Sequence, residues 1–124
     1  MNREHLREGF FHIFKAAGYS LAGLRTGLRL SLAFRQEAAI LTVLIVLLCA
    51  YGKPFTTWLI AMGAWFLVMM AELINTALEE TLNLITKDYN IAVKNAKDMA
   101  SAAVFLMLAL NAGLWFAMFV LKSF

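Results

Sequence analysis

Glu72, Asn75 and Glu79 stand three and seven residues apart. On an α-helix those offsets return to nearly the same azimuth, so one face presents two carboxylates and an amide. Oxygen donors at this spacing suit a hard divalent cation, which keeps several of its waters. A carboxylate left unligated can take a proton from a hydroxyl. Thr76 and Asn83 extend the same polar face. The face follows directly on the apolar run Pro54–Ala71, and acids at the end of a membrane span are expensive unless they bind or react. A second reading stays open, in which the acids of an interfacial helix meet only headgroups or water.

Two further constellations stand out. Asn95, Lys97, Asp98 and Ser101 fall at the expected start of the last apolar helix. A helix N-terminus offers free N–H groups and a favourable dipole to phosphate, and Lys97 adds a point charge. Asn95 followed three residues later by Asp98 also resembles a capping box, which accounts for both residues structurally. Lys15-Ala-Ala-Gly-Tyr-Ser20, with Gly23 and Gly27, permits close approach of a neighbouring helix or a ligand. Gly18 and Gly23 have a P-loop-like separation, but Leu24 stands where lysine is required and no strand precedes. His5 and His12 share a face without a third ligand nearby, so solvated histidines are expected. There is no HExxH, no GxSxG and no kinase-type glycine-rich loop.

The elements that carry these residues are apolar helices. Of 124 residues, 62% are hydrophobic, more than a soluble domain of this length can bury. One Pro and seven Gly argue against a loop-rich β fold. The single cysteine, Cys49, excludes a disulfide framework within one chain and is expected to be inert packing. Residues 1–12 lack an apolar segment behind Arg3 and Arg7, so targeting is expected to come from the spans themselves. Leu6, Phe10, Phe14, Ala17, Leu21, Leu24 and Leu28 recur at steps of three and four, with arginines between them. An amphipathic helix over about 3–29 follows, lying either in the headgroup region or in a bundle.

Spans are expected at about 32–51, 54–85 and 96–121, within a single membrane domain covering 1–124. The first requires Arg35 and Glu37 to snorkel or to face protein. Gly52-Lys53-Pro54 reads as the turn between the first two. Of eleven basic residues, six (Arg3, Arg7, Lys15, Arg25, Arg29, Arg35) lie before or at the start of the first span, three (Lys87, Lys94, Lys97) lie between the second span and the start of the third, and only Lys53 and Lys122 fall opposite. The positive-inside rule therefore puts the N-terminus and the 84–98 connection in the cytoplasm and the C-terminus across the membrane. All eight acids fall in that same half, which disfavours a transporter with its polar site at the midplane.

Four blocks together, Lys15-Ala-Ala-Gly-Tyr-Ser20, Ala33-Phe-Arg-Gln-Glu37, Glu72-x-x-Asn75-x-Ala77-x-Glu79 and Ala96-Lys-Asp-Met99, resemble the bacterial integral-membrane diacylglycerol kinase and undecaprenol kinase family. The likeness runs in order over residues 10–121, and Phe34-Arg-Gln-Glu37 leans toward the Gram-negative diacylglycerol kinase branch. The resemblance implies an all-α membrane protein: an N-terminal surface helix and three transmembrane helices per subunit. It further implies a homotrimer in the bacterial inner membrane, with active sites shared between subunits. The implied reaction uses ATP and Mg²⁺ to phosphorylate diacylglycerol or a similar lipid alcohol, and no nucleic-acid partner is expected. Glu72 would be the base and Glu79 a Mg²⁺ ligand. Asn75, Lys97 and Asp98 would orient the ATP phosphates. Ser20 and Ser101 fall where the family lines its nucleotide and substrate pocket, and Glu37 at a further polar contact.

Four positions depart from the family pattern. Ser31 fills the place of a second metal-binding glutamate, His12 that of an arginine, Asn83 that of an aspartate and Asn90 that of a frequent histidine. Losing a hard anionic ligand weakens Mg²⁺ binding, and Glu80, an additional acid, is a candidate to replace it at the metal. The competing expectation is a paralogue that binds lipid or nucleotide without normal phosphoryl transfer.

Overall fold

The computed structural model describes residues 3–122, with side chains from Phe11 onward. His5, Leu6 and Phe10 of the sequence patterns lie outside the described side chains. Four helices follow in order: α1 (Arg3–Leu30), α2 (Leu32–Ala50), α3 (Phe55–Ile85) and α4 (Ile91–Phe119). The last three are long and apolar enough to cross a membrane. At 1.5 Å per residue, α3 is about 46 Å long, well beyond a ~30 Å hydrocarbon core, so part of it stands outside.

A single residue separates α1 from α2. Ser31 is extended (φ −100°, ψ 120°) and caps α2, its hydroxyl accepting from Phe34 N. The Arg35 guanidinium turns back and donates to Leu28 O at 3.1 Å and Arg29 O at 3.2 Å. A cation there closes carbonyls that the end of α1 leaves unpaired and suits its dipole. Glu37, two residues on, is buried and faces α3, where Trp65 Nε1 donates to its backbone carbonyl at 3.1 Å. Of the two charges in the first span, Arg35 is thus taken up by the end of α1, while Glu37 is buried against protein.

The turn between α2 and α3 forms as expected. Gly52 adopts φ +56°, a left-handed conformation that favours glycine. Lys53 N then reaches Leu48 O at 3.2 Å. Along the membrane-spanning part, Leu44 packs with Trp65 and Val68, and Leu48 with Ala61 and Met118. Asn111, which the sequence patterns did not single out, is buried in α4 and donates to Ala64 O of α3 at 3.0 Å. Interhelical bonds of this kind act as polar glue in an apolar medium. Cys49 is exposed on the outer surface of α2 rather than packed inside.

The start of α4 differs from expectation. The helix begins at Ile91, five residues before the expected boundary at 96. Its cap is Asn90, whose Oδ1 accepts from Ala92 N at 2.9 Å and Val93 N at 3.3 Å. Asn95 and Asp98 therefore lie inside the helix, and the capping box does not form. Asp98 instead pairs with Lys94 at 2.5 Å, an i,i+4 contact that a continuous helix creates.

Candidate functional site

Glu72 is buried, at 6% exposure, where α3 passes the α1–α2 junction. Its Oε1 accepts from Ser31 Oγ at 2.6 Å and from Thr76 Oγ1 at 3.3 Å. Ser31 is itself buried. Glu37 is buried as well, and its Oε2 has no hydrogen-bond partner among the described residues. One turn along α3, Asn75 is also buried, and its Oδ1 has no partner among the described residues. Glu79, on the same face, is half-buried, so the face opens outward along α3.

Asn83 continues that face and meets α4, accepting from Lys97 Nζ at 2.7 Å. Seven residues separate Glu72 from Glu79 and four separate Glu79 from Asn83, which is about 10 Å and 6 Å along the axis. A carboxylate, a half-open acid and an anchored ammonium therefore succeed one another along one helix face. Lys97 and Asp98 also line a small cavity of about 230 Å³ with Asn90 and Tyr89. Neither Lys97 nor Asp98 sits at the helix N-terminus, so the free N–H groups and dipole expected over 95–98 are not there. Ser101 is exposed on α4.

The adjacent face of α3 borders a larger space. Leu73, Thr76, Ala77 and Glu80 form one wall of a groove of about 680 Å³, and Ser20, Gly23, Leu24, Gly27 and Leu30 of α1 form the other. Ser20 is exposed and bonds within its own helix, Oγ donating to Ala16 O at 3.0 Å. Gly27 lets the helices approach: a Cβ there would overlap Leu73 Cδ2 and stand 3.3 Å from Phe34 Cδ1. Thr76 belongs to both features, lining the groove and donating to Glu72. Sequence reasoning found Glu72 but missed Ser31 as its partner and the groove beside it. His12 is exposed on α1.

The donors present suit a hard cation. Asn75 Oδ1 is a buried oxygen without a hydrogen-bond partner among the described residues, and Glu79 is a half-buried carboxylate on the same face. Among the described residues no three His, Cys, Asp or Glu side chains gather to hold a metal. Mg²⁺ does not require such a cage, since one or two carboxylates with substrate phosphates and waters suffice. Glu80 points to the groove wall rather than to the Glu72–Glu79 face.

Comparison with known proteins gives the family. Residues 18–119 match the family model described as prokaryotic diacylglycerol kinase. The diacylglycerol kinase of Escherichia coli strain K12 is 36% identical over 107 residues, 86% of this chain and 88% of that protein. The Helicobacter pylori J99 diacylglycerol kinase is 34% identical over 108 residues, 87% of this chain and 84% of its own length. For the Haemophilus influenzae diacylglycerol kinase the identity is 31% over 107 residues, with coverage of 86% and 91%. By the extent of the family match and the identity of these relatives, this chain belongs to the prokaryotic diacylglycerol kinase family.

Proposed function

We propose that the protein transfers the γ-phosphate of ATP to the hydroxyl of diacylglycerol or a similar membrane lipid alcohol. The observation that carries this reading is the buried Glu72 carboxylate, held by Ser31 and Thr76, with Thr76 opening onto the α1–α3 groove. The groove takes the acyl portion of the acceptor and brings its hydroxyl toward Glu72. Glu72 accepts the hydroxyl proton as the oxygen bonds to the γ-phosphorus. The bond from phosphorus to the β,γ-bridging oxygen breaks, ADP leaves, and Glu72 returns its proton to water. Asn75, Lys97 and Asp98 orient the phosphates, Ser20 borders the nucleotide, and Glu37 and Ser101 contact the acceptor. Glu79 would hold Mg²⁺, with Glu80 supplementing it from a neighbouring subunit, and such an ion would supply neutralisation of the phosphate charge.

The orientation that suits this chemistry puts the N-terminus and the α3–α4 connection in the cytoplasm of a bacterial inner membrane, beside soluble ATP. A homotrimer suits the same reading, because a second subunit would close the open side of the Glu72–Glu79 face. The test is labelled phosphate transfer by detergent-purified protein across a panel of lipid alcohols. Glu72→Gln is expected to lower kcat by about 10²–10⁴-fold while the oligomer persists. Unchanged turnover in that variant would refute the base. A folded wild-type protein that binds ATP but transfers phosphate to no acceptor would establish the non-catalytic paralogue instead.

A further inference from the structure

We infer that Ser31 is a positioning residue that fixes which oxygen of Glu72 receives the acceptor's proton; this rests on Glu72 being the base. The geometry determines the direction of each hydrogen bond around Ser31. Phe34 N–H can only donate, so Ser31 Oγ accepts there at 3.0 Å. The hydroxyl's single proton is then committed to Glu72 Oε1, 2.6 Å away. Thr76 Oγ1 donates to the same oxygen at 3.3 Å. With Oε1 occupied by two donors, Oε2 is the oxygen presented to the acceptor hydroxyl. Ser31 and Glu72 are 7% and 6% exposed, so bulk water does not compete for this bond.

The position of Ser31 gives the bond a second consequence. Ser31 is the one residue between α1 and α2 outside either helix. The hydroxyl that caps α2 therefore also ties the α1–α2 junction to α3, across 41 residues of sequence. A serine here does different work from a metal-binding carboxylate: it is neutral, and its proton goes to the base.

Three substitutions separate positioning from capping. Ser31→Gly removes the donor yet costs an N-cap only a few tenths of a kcal/mol; Ser31→Ala removes donor and cap; Ser31→Thr retains both. Steady-state kinetics with ATP and a short-chain diacylglycerol should show kcat lowered by about 10- to 100-fold in Ser31→Gly and Ser31→Ala, the scale of a hydrogen bond to a charged group. KM for both substrates should stay within about twofold, and Ser31→Thr should restore kcat. In parallel, infrared difference spectra against Glu72→Gln isolate the Glu72 carboxylate band, which should shift in Ser31→Gly and not in Ser31→Thr. An unshifted band overturns the bond. A shifted band with wild-type kcat in Ser31→Gly, while Glu72→Gln is inactive, overturns the positioning role and leaves the base intact. Full activity in Glu72→Gln overturns the base, and the positioning role with it.

Discussion

The packing of α1 on α3 can be tested at Gly27. Adding one methyl there sets two effects against each other. Replacing glycine by alanine inside a helix gains about 1 kcal/mol. The new Cβ, however, overlaps Leu73 Cδ2 and presses on Phe34, and overpacking of this kind costs about 1–3 kcal/mol. Phe34 is 2% exposed and has no room to retreat, so Leu73, half-buried at the groove wall, must turn. Gly27→Ala should therefore lower stability by about 1 kcal/mol. In a Leu73→Ala background the overlap with Leu73 is gone and only the Phe34 contact remains, so the same substitution should raise stability by up to about 1 kcal/mol. The resulting coupling of up to about 2 kcal/mol is well above the additivity expected of independent sites. Reversible unfolding of the four proteins in mixed micelles, followed by circular dichroism, measures it. Equal stabilisation by Gly27→Ala in both backgrounds would refute the docking of α1 on Leu73, and with it the groove. Displacing Leu73 into the groove should also raise KM for the lipid without changing KM for ATP.

Two other perturbations follow from the same geometry. Asn83→Asp gives Lys97 an ionic partner that competes with phosphate, so KM for ATP should rise by up to about fivefold at low salt while kcat changes little; steady-state kinetics with varied ATP checks this, and an unchanged KM removes Lys97 from the phosphate site. Asn111→Ala deletes the bond to Ala64 O within the membrane-spanning part and should cost about 1 kcal/mol in the same unfolding assay. A loss above about 3 kcal/mol would mean that Asn111 Oδ1, unpartnered within the described chain, is bonded by another subunit.

Helical architecture was legible because membrane crossing demands long apolar runs, and this chain breaks them at Gly52-Lys53-Pro54 and over the polar stretch 72–98. The start of α4 was not. Asn90 and Asn95 both make good caps, and the choice depends on the connection after α3. Thr86 accepts from Asp88 N at 3.1 Å in that turn, which brings Asn90 into the capping position. Arg35 and Glu37 were ambiguous for a similar reason: hydropathy scores their charge, while their cost depends on what they face.

The candidate site divides along the same line. Glu72, Asn75, Glu79 and Asn83 were recognisable from spacing, because a helix converts sequence offset directly into azimuth. Their common face was a property of the chain read locally. What Glu72 does with its oxygens was not, since Ser31 lies 41 residues away and no periodicity reports a contact at that separation. Read in sequence, Ser31 marked only a missing metal ligand; folded, it is the donor to Glu72 Oε1. The groove likewise belongs to neither wall, existing only where Gly27 lets α1 close on Leu73. Local offsets decide which residues share a helix face, and packing between helices decides which of their atoms remain available for chemistry.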